Sequence, residues 1–238
     1  MDHFNYRNGQ LYAEDVSVAE IATSVGTPFY VYSTATLVRH FQLFDEALDG
    51  MDHCICYAMK AASNQAILKT LGNLGAGMDV VSGGEYRRAL SAGIPPEKVV
   101  FSGVGKTLEE ITLALKNGIR QFNVESDSEL EQISSIASSM DKIAPIAVRI
   151  NPDVDAKTHE KIATGKAENK FGIPLSRARE VYSKASQMPG INIVGIDLHI
   201  GSQLTDLKPF KKAYQKLADL TQVLRQDGHK IKRLDLGG

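Results

Sequence analysis

Ile55-Cys56-Tyr57-Ala58-Met59-Lys60-Ala61 is a short apolar run closed by a single lysine, and a helix-forming stretch from Asn64 to Leu74 follows at once. Lys60 stands between Met59 and Ala61-Ala62, in a run that reads as buried core. An ammonium taken out of water is costly unless it is paired or gives up its proton. A desolvated lysine is a nucleophile, and the common use of that nucleophile is a Schiff base with a carbonyl compound or with pyridoxal phosphate. The plain alternative is a lysine that snorkels to solvent. The expectation is a strand end that presents a buried, reactive amine.

From this strand onward a rhythm sets in. Strand-like cores lie near 55–59, 77–81, 98–101, 121–124, 146–150, 193–198 and 233–236. Helix-like segments fill the gaps at Gly84–Ala92, Leu108–Asn117, Asp127–Met140, Leu175–Met188 and Leu207–Gln226. Strands alternating with helices imply βαβ units and a parallel sheet. Polar residues or glycines gather at one end of every strand: Lys60, Asp79, Ser102-Gly103, Glu125-Ser126, Arg149 with Asn151, His199, and Gly237-Gly238. Seven such ends in succession favour a (β/α)8 TIM barrel, whose active site lies there, over a doubly wound sheet with a single crevice. The chain supplies seven of the eight strands. The expectation for residues 33–238 is therefore a barrel truncated after about strand seven, a fragment of a longer enzyme.

Residues 1–32 differ in character. Asp15-Val-Ser17-Val-Ala-Glu20 predicts a short capped helix with Val18, Ile21 and Ala22 on its apolar face, and Phe29-Tyr30-Val31-Tyr32 predicts a strand in need of cover. Ser33-Thr34 then caps a helix over about 35–48. With 43% hydrophobic and 23% charged residues the chain can build a sizeable core, and a net charge of −1 gives no field for nucleic acid or an anionic membrane. No run approaches the roughly 18 apolar residues of a membrane span, and the polar first ten residues hold no signal-peptide core, so a cytoplasmic protein is expected. Cys54 and Cys56, two apart on a strand, share one face and read as reduced thiols lining the barrel rather than a metal site; no metal is expected.

Three motifs occur in the order seen in another group of proteins: Tyr57-Ala58-Met59-Lys60-Ala61, Met78-Asp79-Val80-Val81-Ser82-Gly83-Gly84-Glu85, and His199-Ile200-Gly201-Ser202-Gln203. They resemble the alanine-racemase-like (fold type III) pyridoxal-phosphate decarboxylases. The run from Arg149-Ile-Asn151-Pro152-Asp153 through Thr164-Gly165 to Lys170-Phe171-Gly172 resembles the diaminopimelate decarboxylase branch rather than its ornithine or arginine relatives. One departure is Asn169, where a serine commonly precedes Lys-Phe-Gly.

The resemblance implies that Lys60 carries pyridoxal 5'-phosphate covalently and that His199 lies flat against its ring. It implies that Ser202, Gly237 and Gly238 help to hold the phosphate, with Ala58 also in the cofactor site. Asp79 has two readings, a carboxylate near Lys60 with a catalytic role or a cap of the helix after it. Arg149 is either a lining cation paired with Glu125 or a cofactor-side residue. The polar connection from Pro152 to Asn169 has the length of a lid. The resemblance further implies decarboxylation of meso-2,6-diaminopimelate to L-lysine in lysine biosynthesis, by a homodimer whose C-terminal β-domain covers residues 1–32. Part of the site would come from outside these residues, so the chain alone is expected to be inactive. A sibling decarboxylase for ornithine, arginine or a polyamine precursor shares every cofactor residue. A racemase fits the His199 motif less well, and a non-catalytic pyridoxal-phosphate-binding regulator would not need Lys60.

Overall fold

The computed structural model describes residues 2–154, 171–202 and 204–237. The chain begins with an antiparallel meander of β1 (Phe4–Arg7), β2 (Gln10–Ala13) and β3 (Val16–Ser17). The sequence reading did not foresee it. Its first turn is Asn8-Gly9, with φ of 51° and 79°, the pair of left-handed residues that a two-residue hairpin needs. Helix α1 (Val18–Val25) follows, later than Asp15 suggested, because Val16–Ser17 is taken up by pairing with Tyr12-Ala13. Val18, Ile21 and Ala22 do form its half-buried side. Phe29–Tyr32 is not a strand. It runs unpaired into α2 (Thr34–Ala47), with Tyr30 91% exposed.

The helix α2 is tied to the meander by one carboxylate. Glu14 Oε1 accepts hydrogen bonds from Ser33 Oγ and from the Ala35 amide, each at 2.8 Å. Ser33 in turn accepts from the Thr36 amide, and His3 Nδ1 meets Thr36 Oγ1 at 3.0 Å.

The rest of the chain alternates strand and helix as expected. In chain order it runs β4 (Cys56–Ala58), α3 (Gln65–Asn73), β5 (Gly77–Val80), α4 (Gly83–Ser91), β6 (Val99–Phe101), α5 (Leu108–Asn117), β7 (Gln121–Val124), α6 (Asp127–Ser139) and β8 (Ala144–Asn151). A two-residue β9 (Ile173–Pro174) pairs with the end of β8. A single turn of 3-10 helix, Leu175–Arg177, precedes α7 (Ala178–Gln187), where one continuous helix was expected. Then come β10 (Ile191–His199), α8 (Leu207–Gln226) and β11 (Arg233–Gly237).

Seven of these strands form one parallel sheet in the order β11-β10-β8-β7-β6-β5-β4. Between its convex face and the helices lies the core, with Met78, Phe101, Phe122, Ile146 and Ile196 at zero exposure. The sheet is strongly curled. Asn123 on β7 and Asp235 on β11 are three strand spacings apart, roughly 14 Å in a flat sheet, yet their side chains hydrogen-bond at 3.0 Å. Strand order and curl are those of a barrel with its seventh strand in place. Among the described residues β4 and β11 are each paired on one side only, and Leu234 and Leu236 on the outer face of β11 are 46% and 48% exposed.

Candidate active site at the strand tips

Side chains alternate faces along a strand, so a second set of residues lines the concave side. In register, Ala58 lies beside Asp79, Arg149 beside Asp197, Asp197 beside Asp235, and His199 beside Gly237. This lining is polar where the convex side is apolar.

Asp79 does not cap a helix. That job falls to Ser82, whose hydroxyl accepts from the Glu85 amide. The Asp79 carboxylate instead accepts a hydrogen bond from the Ser102 hydroxyl at 2.5 Å. Asn123 Nδ2 donates both to Ser102 Oγ (3.1 Å) and to Asp235 (3.0 Å), and Gln121 Nε2 donates to Asn123 Oδ1 at 2.8 Å. Burial pushes the Asp79 carboxyl up to about 6, against the pull of the Ser102 hydrogen bond and the Lys60 charge. Burial also raises Asp197, helped by the neighbouring Asp235 charge, and raises Asp235 itself.

Arg149 is the cation of this lining. Its Nη1 donates to Glu125 Oε1 at 2.8 Å, and Nε lies 4.0 Å from Asp197. Glu125 is buried, and its other oxygen, Oε2, has no hydrogen-bond partner among the described residues. The Glu125 backbone is held from below. Its amide donates to Glu129 Oε2 at 2.6 Å, and Glu129 Oε1 accepts from the buried Lys106, whose ammonium also donates to the Gly103 and Asn123 carbonyls. With three acceptors around it, that buried charge is satisfied.

His199 ends β10, half buried. Burial first, then the charges of Arg149 and Lys60, lowers its pKa to about 4, so the imidazole is neutral near pH 7. Its ring lies close over Gly237: a Cβ there would meet Nδ1 at 2.7 Å. The glycine is needed for that approach, on top of any contact it makes with a ligand.

Lys60 departs from expectation. It is exposed, not buried. The apolar neighbours were a misleading guide, because alternation sends Met59 (1% exposed) into the core and the next residue to the opposite side. Among the described residues the Lys60 amine has no hydrogen-bond or ion-pair partner, yet it lies in the electrostatic field of both Asp79 and His199. Ser202 is exposed on the bend after β10, next to Gly201 with φ of 127°. Gly238 and residues 155–170, most of the suspected lid, lie outside the described residues.

The sequence reading missed Gln121, Asn123, Asp197 and Asp235. A signal was there in the alternation of Gln121-Phe-Asn123-Val-Glu125 and Asp197-Leu-His199, which puts polar groups on one face of strands with buried apolar partners on the other. Lys106 with Glu129 gave none, since the two lie 23 residues apart.

Residues 34–238 match the family model for the pyridoxal-dependent decarboxylases, specifically its pyridoxal binding domain. The chain belongs to this family. Within it, the diaminopimelate decarboxylase of Haemophilus influenzae is 54% identical over 238 residues, 100% of this chain and 57% of its own length. The enzyme of the same name from Vibrio cholerae is 52% identical, again over 100% of this chain and 57% of its own. A solved structure, diaminopimelate decarboxylase from Helicobacter pylori complexed with L-lysine, aligns with a TM-score of 0.89 at 45% identity, covering 92% of this chain and 56% of that one. The chain thus spans a little over half the length of the decarboxylases it matches.

Proposed function

We propose that this chain is the cofactor-binding part of a pyridoxal-phosphate-dependent carboxy-lyase that converts meso-2,6-diaminopimelate to L-lysine and carbon dioxide. One observation carries the reading: the Lys60 amine is free of partners among the described residues and stands in the field of Asp79 and His199. Names of relatives at 52–54% identity and the lysine-bound neighbour support the substrate.

The lining fits the cofactor on its own chemistry. It offers an unpaired amine for an aldehyde, a neutral imidazole able to lie against an aromatic ring, a strand end without a Cβ at Gly237, and an orphaned acceptor at Glu125 Oε2. On this reading Lys60, Ala58, Asp79, Arg149, His199, Ser202, Gly237 and Gly238 hold the group. When bound, pyridoxal phosphate supplies a sink for the electron pair that the departing carboxylate leaves behind.

The chain's own residues do the rest. Lys60 would hold the group through its amine, the position that a substrate amine would compete for. Asp79, with its pKa near 6, sits where it can take a proton from that amine or return one. Neutral His199 would offer its ring face to the group without adding positive charge. Arg149, fixed by Glu125 and 4.0 Å from Asp197, supplies the guanidinium of the lining. The working form is a cytoplasmic homodimer, and residues 1–32 pack against a domain outside this chain, which would cover Tyr30 and Tyr32.

The test is to incubate the full-length protein and pyridoxal phosphate with meso-diaminopimelate, ornithine and arginine in turn, measuring carbon dioxide and lysine. A higher kcat/KM for ornithine or arginine would replace this reading with that of a sibling decarboxylase.

A further inference from the structure

The opposite rim of the sheet, at the N-terminal ends of β4 to β7, holds Cys54 and Cys56. Their sulfurs are 3.9 Å apart. Gly77 on the adjacent strand makes the room, since a Cβ there would meet the two sulfurs at 2.9 and 3.3 Å. Cys54 opens onto a cavity of about 260 Å3 whose wall also includes Phe41, His53, Leu74, Lys98 and Arg120.

The charges around the pair are unequal. His53, Lys98, Arg120 and, from β11, Arg233 all act on Cys54. Two acids, Asp45 and Asp52, line the same cavity, but Asp45 is engaged by His53 Nε2 at 2.9 Å. Cys56 is the deeper of the two and also feels Asp235. The hydrogen bond from Cys56, then Arg120 and Lys98, draws the Cys54 thiol down to about 6, while its neighbour's sulfur and burial push Cys56 up. A thiolate beside cations, with a protonated thiol in contact and an opening for a small molecule, is the arrangement of an attacking and a resolving cysteine.

We infer that Cys54 and Cys56 form a peroxide-reactive pair, in which a small hydroperoxide entering the cavity is reduced and a Cys54–Cys56 disulfide forms. The Cys54 thiolate attacks the terminal oxygen of the hydroperoxide; the O–O bond breaks, leaving Cys54 as sulfenic acid and the remainder as an alkoxide that takes a proton from solvent. The Cys56 sulfur then attacks the Cys54 sulfur, an S–S bond forms, and the displaced hydroxide leaves as water with the Cys56 proton. Two thiols are oxidised and one hydroperoxide is reduced to an alcohol and water (two waters from hydrogen peroxide). Cys54 precedes β4, outside any regular pairing, so its backbone is free of the ladder when the bond closes.

The test treats the reduced full-length protein with one equivalent of hydrogen peroxide at pH 7 and follows the peptide bearing both cysteines by mass. The expected result is loss of two hydrogens, about tenfold or more faster than oxidation of free glutathione, as a largely ionised thiol requires. Cys56→Ser should accumulate a Cys54 sulfenic acid that dimedone traps, and Cys54→Ser should lose the fast reaction. A wild-type rate no faster than glutathione, a first adduct on Cys56, or a sulfenic acid that persists in the wild type would overturn the inference. None of these readouts involves pyridoxal phosphate, so such a failure leaves the decarboxylase reading untouched.

Discussion

Arg149 Nη1 reaches Glu125 Oε1 at 2.8 Å, while the second oxygen of the same carboxylate is buried without a partner among the described residues. Breaking one half of a buried ion pair strands the other charge, at a cost of about 3–5 kcal/mol. Arg149→Met is therefore expected to lower stability by that amount in urea unfolding. Glu125→Gln keeps an acceptor for the guanidinium and should cost less than half as much. Equal losses in the two variants would show that packing of the arginine stem, rather than the charge, sets the effect.

Exposure separates the function of Lys60 from its role in stability. Lys60→Ala should shift unfolding by no more than about 0.5 kcal/mol, as for other surface substitutions. It should also abolish the visible absorbance that bound pyridoxal phosphate gives the protein, together with carbon dioxide release. Parallel melting curves and cofactor titrations check both halves. A large drop in stability would mean that the amine has a structural role.

Asp79 and His199 titrate in opposite senses. Asp79 lies at about 6 in the folded chain against an ordinary value of 3.8. Between those pH values the folded state keeps a proton that the unfolded state gives up, so stability falls as pH rises from about 4 to about 6 and stays lower above. Asp79→Asn should thus stabilise the protein at pH 8, by up to about 3 kcal/mol, and change little at pH 4. His199, at about 4 against 6.5, contributes stability above pH 6.5 that is lost as pH falls toward 4. His199→Gln should flatten that acid limb in pH-dependent urea titrations.

Gly237→Ala puts a methyl group where His199 Nδ1 now lies 2.7 Å from the Cβ position. The imidazole must move, and with it the face offered to the cofactor. The expected outcome is weaker pyridoxal phosphate binding and a shifted His199 ring resonance, with the sheet amides unchanged by NMR. An unaltered cofactor affinity would remove His199 from the binding surface.

The barrel segment was legible because each element announces itself locally. Leu108–Asn117 carries its own capping box, Thr107 with Glu110, and Gly118 in the left-handed conformation beyond its end. Phe101 and Phe122 lie in runs with cover on both faces, which only a parallel sheet between layers supplies. Phe29–Tyr32 has the same β-favouring composition and failed, because composition describes a surface that suits a strand and says nothing of whether a partner is there. The site was half legible. Lys60, Asp79, Arg149 and His199 stand at strand ends where the barrel rule looks for them. The chain Asp79–Ser102–Asn123–Asp235 depends on how tightly the sheet curls, and no single strand encodes that curvature.

The Glu14 carboxylate, gathering the Ser33 hydroxyl and the Ala35 amide, makes the first two dozen residues a latched flap with its own acid release. Those hydrogen bonds hold Glu14 below the usual carboxylate range, so what it contributes above that range vanishes as acid protonates it. Relative to the intrinsic rate, hydrogen exchange should quicken first at Asn5 and Tyr12 as pH falls below about 4.5, while Phe101 and Phe122 stay protected. The N-terminal meander is then a separate cooperative unit, free to open while the pyridoxal-binding sheet remains closed.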